Sequence, residues 1–339
     1  MNALADSHPN GTGSALLELS DLRVDLKIGG QWRTVVQGVS LRLDQGKALG
    51  IAGESGSGKS ITARSIARLL PRGARVAGEV CFAGERVSDM NSTRLRQFRA
   101  RELGIIYQDP RASINEMHTV GDFLTEGIRD FPPQERRDLA INALQATGIA
   151  DAERRLRQYP HQLSGGLLQR VMIAAAILPG PRLLLADEPT TALDVTTQSE
   201  VMAVLADERQ ARQLAMIFIT HDLDLAAAVT DSLAVMYAGM IVETGPSATM
   251  HERAMHPYTI GLLAARPQPT RVESLYSIPG RPIAAYESGP GCVFASRCAY
   301  VEQRCLDSRP APRQIGDHVV ACHRAEELRE TLHHALEHA

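Results

Sequence analysis

The sequence predicts an α/β fold built around a phosphate-binding loop. Residues 53–60 read Gly-Glu-Ser-Gly-Ser-Gly-Lys-Ser, between a short apolar run and a segment that favours a helix. Further along, short apolar runs alternate with helix-compatible segments. The run over 183–187 is apolar until its final aspartate, which is typical of a central parallel strand.

The residue types of the loop suit the binding of phosphate groups. Glycines let the backbone wrap closely and direct its N–H groups inward, and the helix start adds partial positive charge. Lys59 offers a full charge for the terminal phosphates, and Ser60 offers a hydroxyl for Mg²⁺. The alternative is a Gly/Ser-rich turn that carries a lysine by chance, which the total of three lysines disfavours. The predicted nucleotide contacts here are Gly53, Glu54, Ser55, Gly56, Ser57, Gly58, Lys59, Ser60 and Ile61.

Composition limits the function classes. The chain has 339 residues, enough for two domains or one domain with an extension, and a formal net charge of −3, which gives no reason to expect nucleic-acid binding. The polar N-terminus predicts no signal peptide. The longest apolar run near the middle covers 171–178, far short of the roughly 20 residues of a membrane span. We therefore expect any work at a membrane to depend on a partner.

The first half of the chain changes character twice. Residues 1–15 are rich in small and polar residues and predict disorder. Residues 16–43 alternate apolar and polar side chains, which predicts antiparallel strands with one buried face. Further strands are predicted over 78–82 and 104–107, and apolar residues at helical spacing predict a small helical insertion over 113–162.

The second half returns to α/β alternation. Helices are predicted over 165–177 and 195–213, and strands over 183–187, 215–220, 232–237 and 241–243. After about residue 255 the chain is rich in Pro, Gly and Cys and predicts irregular structure, followed by a helix over 324–338.

Several polar residues stand where strands end or helices begin. Asp187 and Glu188 follow a predicted central strand, where a carboxylate could hold Mg²⁺ or polarise water. Ser164, Gly165 and Gly166 open a helix and could bind an anion through backbone N–H groups. Gln108, Asp194 and His221 end strands or cap helices. Taken singly, each of these residues has an ordinary structural explanation as a turn, a cap or a polar strand end.

Taken in order, these motifs resemble the nucleotide-binding subunits of ABC transporters. They match the Walker A loop (53–60), the Q-loop (Gln108), the signature motif (164–166), the Walker B motif (187–188), the D-loop (Asp194) and the H-loop (His221). The resemblance covers about residues 16–255. It implies a RecA-like P-loop NTPase core with an antiparallel β-subdomain and an α-helical subdomain over about 111–178.

The same resemblance implies roles for the residues. Two subunits would close head to tail around two MgATP, with the Ser164–Gly166 turn of one subunit completing the site of the other. Lys59 would hold the phosphates, and His221 would secure the γ-phosphate. Glu188 would activate water, while Ser60, Gln108 and Asp187 would arrange Mg²⁺.

The chain departs from the family pattern at two places. The signature carries Leu167 where many members have Gln, but its phosphate-contacting Ser-Gly-Gly is intact, so we expect activity to survive. The family stacks adenine on an aromatic side chain before the Walker A loop. The nearby candidate is Trp32. The alternative is that Trp32 is simply a half-buried residue of a strand or turn.

The C-terminal part, 256–339, resembles the extension of dipeptide/oligopeptide import ATPases. The shared features are His-Pro-Tyr-Thr over 256–259, Ile-Pro-Gly over 278–280 and four clustered cysteines. In that group these cysteines are associated with a [4Fe–4S] cluster, and four thiolates on a loop-rich segment can enclose one. Free buried cysteines or two disulfides are the alternatives. The predicted ligands are Cys292, Cys298, Cys305 and Cys322.

The resemblance implies an ATPase that powers peptide uptake from the cytoplasmic face of the inner membrane. The expected partners are a second ATPase subunit, which we expect to be a paralogue, two membrane permease subunits and an extracytoplasmic substrate-binding protein. Other cargo, such as nickel or glutathione, is an alternative. A non-transport ABC ATPase with a redox-sensing cysteine cluster is another.

Overall fold

The computed structural model describes residues 15–190, 193–265 and 277–338. The prediction of disorder over 1–15 falls almost wholly outside these residues. The strands are β1 (Leu17–Ile28), β2 (Gln31–Leu43), β3 (Ala48–Ala52), β4 (Arg75–Phe82), β5 (Glu85–Arg86), β6 (Leu103–Ile106), β7 (Leu183–Asp187), β8 (Ala215–Thr220), β9 (Ser232–Tyr237), β10 (Met240–Pro246), β11 (Arg313–Ile315) and β12 (His318–Val320). The α-helices are α1 (Lys59–Ile66), α2 (Ser92–Gln97), α3 (Val120–Glu126), α4 (Pro133–Ala146), α5 (Ala152–Arg155), α6 (Gly165–Ile177), α7 (Val195–Arg212), α8 (Leu223–Val229), α9 (Met250–Arg253), α10 (Pro257–Ala264), α11 (Gln303–Asp307) and α12 (Ala325–His338).

The described residues form two compact units. The first takes its residues from Met1–Asp44, Leu49–Ser88 and Thr220–Ala339. The second takes its residues from Gln45–Ala48 and Asp89–Ile219. The phosphate-binding loop therefore belongs to the first unit, and the predicted helical subdomain belongs to the second.

An antiparallel sheet in the first unit follows the order β2-β1-β4-β5. Leu17 in β1 lies opposite Leu43 on one side and Phe82 on the other. The apolar positions of β1 alternate into the core, where Leu19 and Val24 are almost fully buried. This sheet is the antiparallel β-structure that the alternating pattern over 16–43 predicts.

The first unit also contains the strand that leads into the phosphate-binding loop. β3 pairs in parallel with β9, β9 forms a hairpin with β10, and β10 pairs with β12 of the C-terminal part. Ala238 and Gly239 form the hairpin turn, both in the left-handed region with φ of +45° and +79°. Since β12 extends this sheet, the C-terminal part shares a compact unit with residues 220–255.

The second unit pairs parallel strands with a helical cluster. β7 lies between β6 and β8, and all five of its residues are buried. Helices α3–α6 pack around a separate apolar cluster that includes Val120, Leu144 and Val171. Strands β6, β7 and β8 and helix α6 occupy the segments that the sequence predicts for them, within one residue.

The structure differs from the prediction of irregular structure after residue 255. Helix α10 begins at Pro257, with the His256 imidazole capping its first turn, and the short elements α11, β11 and β12 follow. Helix α10 is buried on nearly all sides, and its residues are apolar on nearly all sides as well. The sequence therefore lacks the alternation of apolar and polar residues that marks a helix with one exposed face. The others have five residues or fewer, too short for a pattern to develop.

Candidate functional site

The phosphate-binding loop joins β3 to α1 in the first unit. Lys59 is the first residue of α1, and its Nζ donates to the carbonyl oxygens of Gly53 at 2.6 Å and Glu54 at 2.9 Å. Ser60 and Ile61 follow in the first turn of the helix. A lysine amine thus lies within the curve of a loop at a helix N-terminus, which is the arrangement that binds phosphate groups.

Gly53 is required by a close approach to a neighbouring strand. Its φ is +152°, and a Cβ at this position would lie 2.1 Å from the carbonyl oxygen of Met236 in β9. No real side chain could be accommodated at that distance without moving the backbone. The first glycine of the motif therefore allows the loop to pass against β9.

The carboxyl end of β7 carries the predicted water-activating residue. Asp187 ends the strand and is 6% exposed. Glu188 follows with φ of +47°, and its N–H donates to Ile219 at 2.9 Å. Gln108 Nε2 donates to Glu188 Oε2 at 3.0 Å. The structure thus brings together the residues predicted for the Q-loop and the Walker B motif, and Glu188 has a strained backbone conformation of the kind that clusters at functional sites.

Ser164 and Asp194 each cap a helix in the second unit. The Ser164 hydroxyl accepts from the N–H of Leu167 at 3.4 Å at the start of α6. The Asp194 carboxylate accepts hydrogen bonds from the backbone N–H and the side-chain hydroxyl of Thr197 at the start of α7. These hydrogen bonds lower the pKa of Asp194. The two helix starts are adjacent, because a Cβ at Gly166 would lie 2.5 Å from Thr197 Cγ2. Ser164 and Asp194 are therefore helix N-caps, which is the ordinary structural role that residues of these types have at a helix start.

The remaining two predicted residues lie in the first unit. His221 is exposed and directly follows β8. Trp32 lies in β2 with 41% of its surface exposed, and the Arg75 guanidinium lies 3.9 Å from its ring centroid. One face of the indole is therefore covered by a cation, so any base that stacks on Trp32 would have to use the other face.

The four C-terminal cysteines line one pocket. Cys292, Cys298, Cys305 and Cys322 surround it together with apolar and aromatic side chains and two histidines. All are free thiols, which excludes the two-disulfide alternative. Burial, with a smaller contribution from neighbouring thiolates, raises the pKa of Cys298 to about 11 and that of Cys322 to about 12. Without a bound cation, these thiols are protonated at neutral pH.

The prediction of a metal site at this pocket lacks support from the side-chain geometry. Among the described residues, no three His, Cys, Asp or Glu side chains form a group that could hold a metal ion. The sulfur donors fit iron–sulfur ligation chemically, since each thiolate of such a set binds a different iron and the four do not converge on one ion.

Two contacts to the phosphate-binding loop have no signal in the sequence. The carboxylate of Glu54 pairs with the guanidinium of Arg297. The backbone N–H of Glu54 donates to the hydroxyl of Tyr258. Both partners lie more than 200 residues away. No local pattern links them to the motif.

Comparison with known proteins identifies the family. A family model described as ABC transporter matches residues 36–191, and one described as Oligopeptide/dipeptide transporter, C-terminal region, matches residues 242–305. A peptide import ATP-binding protein of Brucella abortus (strain 2308) is 42% identical over 91% of this chain and 94% of its own length. The chain belongs to the ABC transporter ATP-binding subunits of the dipeptide/oligopeptide importer family.

Other relatives agree with this family. The oligopeptide transport ATP-binding protein OppD of Bacillus subtilis (strain 168) is 39% identical over 89% of this chain and 86% of its own length. A dimeric ATP-binding cassette solved in a post-hydrolysis state with ADP and Pi has a TM-score of 0.62 and 25% identity, and covers 68% of this chain and 98% of that one. CbiO1 of Clostridium perfringens, part of the ABC transporter complex CbiONQ, has a TM-score of 0.60 and 26% identity, and covers 69% of this chain and 90% of that one. The predicted RecA-like P-loop fold is confirmed.

The membrane-spanning segments of a transporter have no counterpart in the part of this chain that the structure describes. None of its helices has the length and apolar character needed for a bilayer span.

Proposed function

We propose that this chain couples the binding and hydrolysis of ATP to the uptake of dipeptides or oligopeptides. The observation that carries the proposal is the Gln108–Glu188 hydrogen bond at the carboxyl end of β7, in a chain in which six predicted nucleotide motifs occur in the family's order. Lys59 and the backbone amides over 53–60 bind the triphosphate. Glu188 accepts a proton from the attacking water, and His221 hydrogen-bonds the γ-phosphate.

The proposed Mg²⁺ ligands suit the ion chemically. Ser60, Gln108 and Asp187 offer hydroxyl, amide and carboxylate oxygens, the donor types that Mg²⁺ accepts beside phosphates. When bound, the ion would neutralise charge on the transferred phosphoryl group. Gln108 also donates a hydrogen bond to Glu188. The same side chain could therefore contact both the Mg²⁺ ion, through its oxygen, and the proposed catalytic base, through its nitrogen.

The proposed assembly is a head-to-tail pair of ATPases with two permease subunits and an extracytoplasmic substrate-binding protein, located at the cytoplasmic face of the inner membrane. Ser164, Gly165 and Gly166 at the N-terminus of α6, with Asp194 nearby, would complete the partner's nucleotide site. Trp32 is the proposed adenine contact. We assign residues 16–255 to the nucleotide-binding domain, with the helical subdomain over about 111–178, and residues 256–339 to the extension. The second ATPase is proposed to be a paralogue.

Co-purification followed by ATPase measurement tests the transport role. The chain is expressed with its permease partners and binding protein, and the complex is placed in lipid vesicles. We expect ATP hydrolysis to rise when di- or oligopeptides are added with the binding protein. Stimulation by nickel or glutathione but by no peptide would contradict the peptide assignment and leave the ATPase role intact.

The cysteine pocket is proposed to bind a [4Fe–4S] cluster. The supporting observation is that four free thiols of the C-terminal part, one in α11 and three in irregular segments, line one pocket. When bound, the cluster would supply the positive charge that keeps these thiols ionised and would cross-link these segments.

The visible absorption spectrum of anaerobically purified protein tests this site. We expect a brown protein with broad charge-transfer absorption and about four irons per chain. Cys298→Ser should lose the colour, while Cys81→Ser, a change in β4 outside the pocket, should keep it. A colourless protein that contains stoichiometric zinc would contradict the proposal.

A further inference from the structure

A partly buried ion pair connects the C-terminal part to the phosphate-binding loop within the first unit. Arg297 Nη1 donates to Glu54 Oε2 at 2.6 Å, and Nη2 donates to Oε1 at 3.1 Å. The Arg297 side chain is 3% exposed and that of Glu54 is 24% exposed. This two-point geometry fixes the carboxylate in direction as well as position, which a lysine could not do.

The C-terminal part holds Arg297 firmly in place. Its Nε donates to the carbonyl oxygen of Pro279 at 2.8 Å, and Nη2 donates to that of Ile278 at 3.3 Å. The guanidinium also lies 5.7 Å from the ring centroid of Tyr237 and 6.0 Å from that of Phe294. With contacts on several sides, Arg297 cannot follow Glu54 if the loop moves, and so it restrains the loop.

A second residue of the C-terminal part holds the backbone of Glu54. The hydroxyl of Tyr258 accepts from the Glu54 N–H at 2.9 Å. The Tyr258 side chain is fully buried, and burial raises its pKa above the ordinary range, so the hydroxyl stays neutral. Both the side chain and the N–H of Glu54 are thus fixed by residues far away in sequence.

The remaining polar group of Glu54 reaches the phosphate-binding lysine. Its carbonyl oxygen accepts from Lys59 Nζ at 2.9 Å. A shift of the Glu54 peptide would therefore move an acceptor that orients the amine. Arg297 and Tyr258 contact Glu54, and Glu54 contacts Lys59, which forms one continuous set of hydrogen bonds.

Charge gives the pair a second consequence. A carboxylate in a loop that receives a triphosphate repels the ligand, and the repulsion is strong where water is partly excluded. The bidentate guanidinium cancels this charge. Without Arg297, Glu54 would place an uncompensated negative charge beside the phosphates.

We propose that Arg297 and Tyr258 are positioning residues for nucleotide binding, which fix Glu54 and neutralise its carboxylate so that the loop accepts ATP. The inference rests on the proposed role of the loop in binding ATP. It makes the C-terminal part a component of the nucleotide site, in addition to any role of its cysteines.

Equilibrium binding of ATP to the purified full chain tests the inference, with thermal unfolding by circular dichroism to establish folding. Arg297→Met should weaken ATP binding by about 10- to 100-fold, because it leaves a carboxylate unpaired at the loop. The double variant Glu54→Gln/Arg297→Met should recover most of this loss, because no charge remains to be neutralised. Tyr258→Phe should weaken binding by less, since it removes one acceptor.

Arg281→Met is the matched control. Arg281 makes the same kind of two-point ion pair with Glu287, at 3.0 and 2.7 Å, in the same part of the chain. Neither Arg281 nor Glu287 makes a hydrogen bond or ion pair with Glu54 in the part of the chain that the structure describes, so ATP binding should stay unchanged. In the assembled importer, Arg297→Met should raise the KM for ATP more than it lowers kcat.

The outcomes separate this inference from the proposed function. A folded Arg297→Met chain that binds ATP as tightly as the unaltered chain would overturn the inference, as would a double variant that binds no better than Arg297→Met. Failure of the unaltered chain to bind ATP would contradict the proposed function. If Arg297→Met does not fold, Arg297→Gln keeps hydrogen-bond donors and loses the charge, and unchanged ATP affinity in this variant would likewise overturn the inference.

Discussion

At the scale of single residues, backbone contacts decide which side chains the nucleotide loop can carry. We expect Gly53→Ala to abolish ATP binding, because its Cβ would lie 2.1 Å from the Met236 carbonyl oxygen. Gly73→Ala is the control, since Gly73 also has positive φ, +83°, but no described atom lies within 4 Å of its added Cβ. Both variants incur strain of about 1–3 kcal/mol, and only the first adds a backbone collision. Nucleotide titration of the two variants would show the difference.

The buried imidazole of His256 should make the stability of the folded chain depend on pH. Burial lowers its pKa from 6.5 to about 4, although the nearby Glu243 carboxylate acts in the opposite direction. The neutral ring is needed because its Nδ1 accepts from the N–H of Tyr258 at 3.1 Å. Below pH 6.5 the unfolded chain binds a proton that the folded chain does not, so stability falls as the pH decreases towards 4. The loss attributable to this group is about 3 kcal/mol.

Chemical denaturation between pH 7.5 and pH 4.5 measures this effect. We expect His256→Asn, which keeps a capping oxygen and does not titrate, to be less stable at neutral pH. Its stability should depend less steeply on pH across this range, by up to one proton. An unchanged slope would show that His256 is not the group responsible.

At the scale of elements, helices α6 and α7 begin so close together that only glycine fits at position 166 without a change in the packing. A Cβ at Gly166 would lie 2.5 Å from Thr197 Cγ2, whereas an added Cβ at Gly165 meets no described atom within 4 Å. We expect Gly166→Ala to destabilise the chain by about 1–3 kcal/mol, and Gly165→Ala to be neutral or slightly stabilising.

Thr197→Ser provides a rescue for this prediction. Serine lacks the colliding methyl group and keeps the hydroxyl that donates to Asp194 at 2.7 Å. The double variant Gly166→Ala/Thr197→Ser should regain most of the stability lost in the single variant, as measured by urea unfolding. Equal destabilisation of Gly165→Ala and Gly166→Ala would contradict this account of the helix contact.

The elements also show what sequence patterns can reveal. β7 and α6 were predictable, because the first is an uninterrupted apolar run ending in Asp187 and the second begins at a Ser-Gly-Gly cap and ends before Pro179. Helix α10 was not predictable, since a helix buried on nearly all sides has no polar face to give it a period. The β10–β12 pairing joins residues that are far apart in sequence, and no local pattern encodes it.

At the scale of the whole molecule, the motifs could be predicted but their supports could not. Gln108 and Glu188 were both identified by position, and the structure adds their 3.0 Å hydrogen bond. The Arg297–Glu54 pair spans 243 positions, and only the folded chain reveals it. Residues that define a family follow one another in fixed order, whereas the residues that hold them can come from any part of the fold.

The central claim is that this chain hydrolyses ATP with Glu188 as the base that activates water. Steady-state ATPase activity of the assembled importer carrying Glu188→Gln, measured with ATP binding to the same variant, tests it most directly. We predict ATP binding close to that of the unaltered chain and hydrolysis lower by about 10²–10⁴-fold. The control Glu135→Gln, an exposed change in α4, should keep full activity. Near-normal turnover by Glu188→Gln would contradict the account.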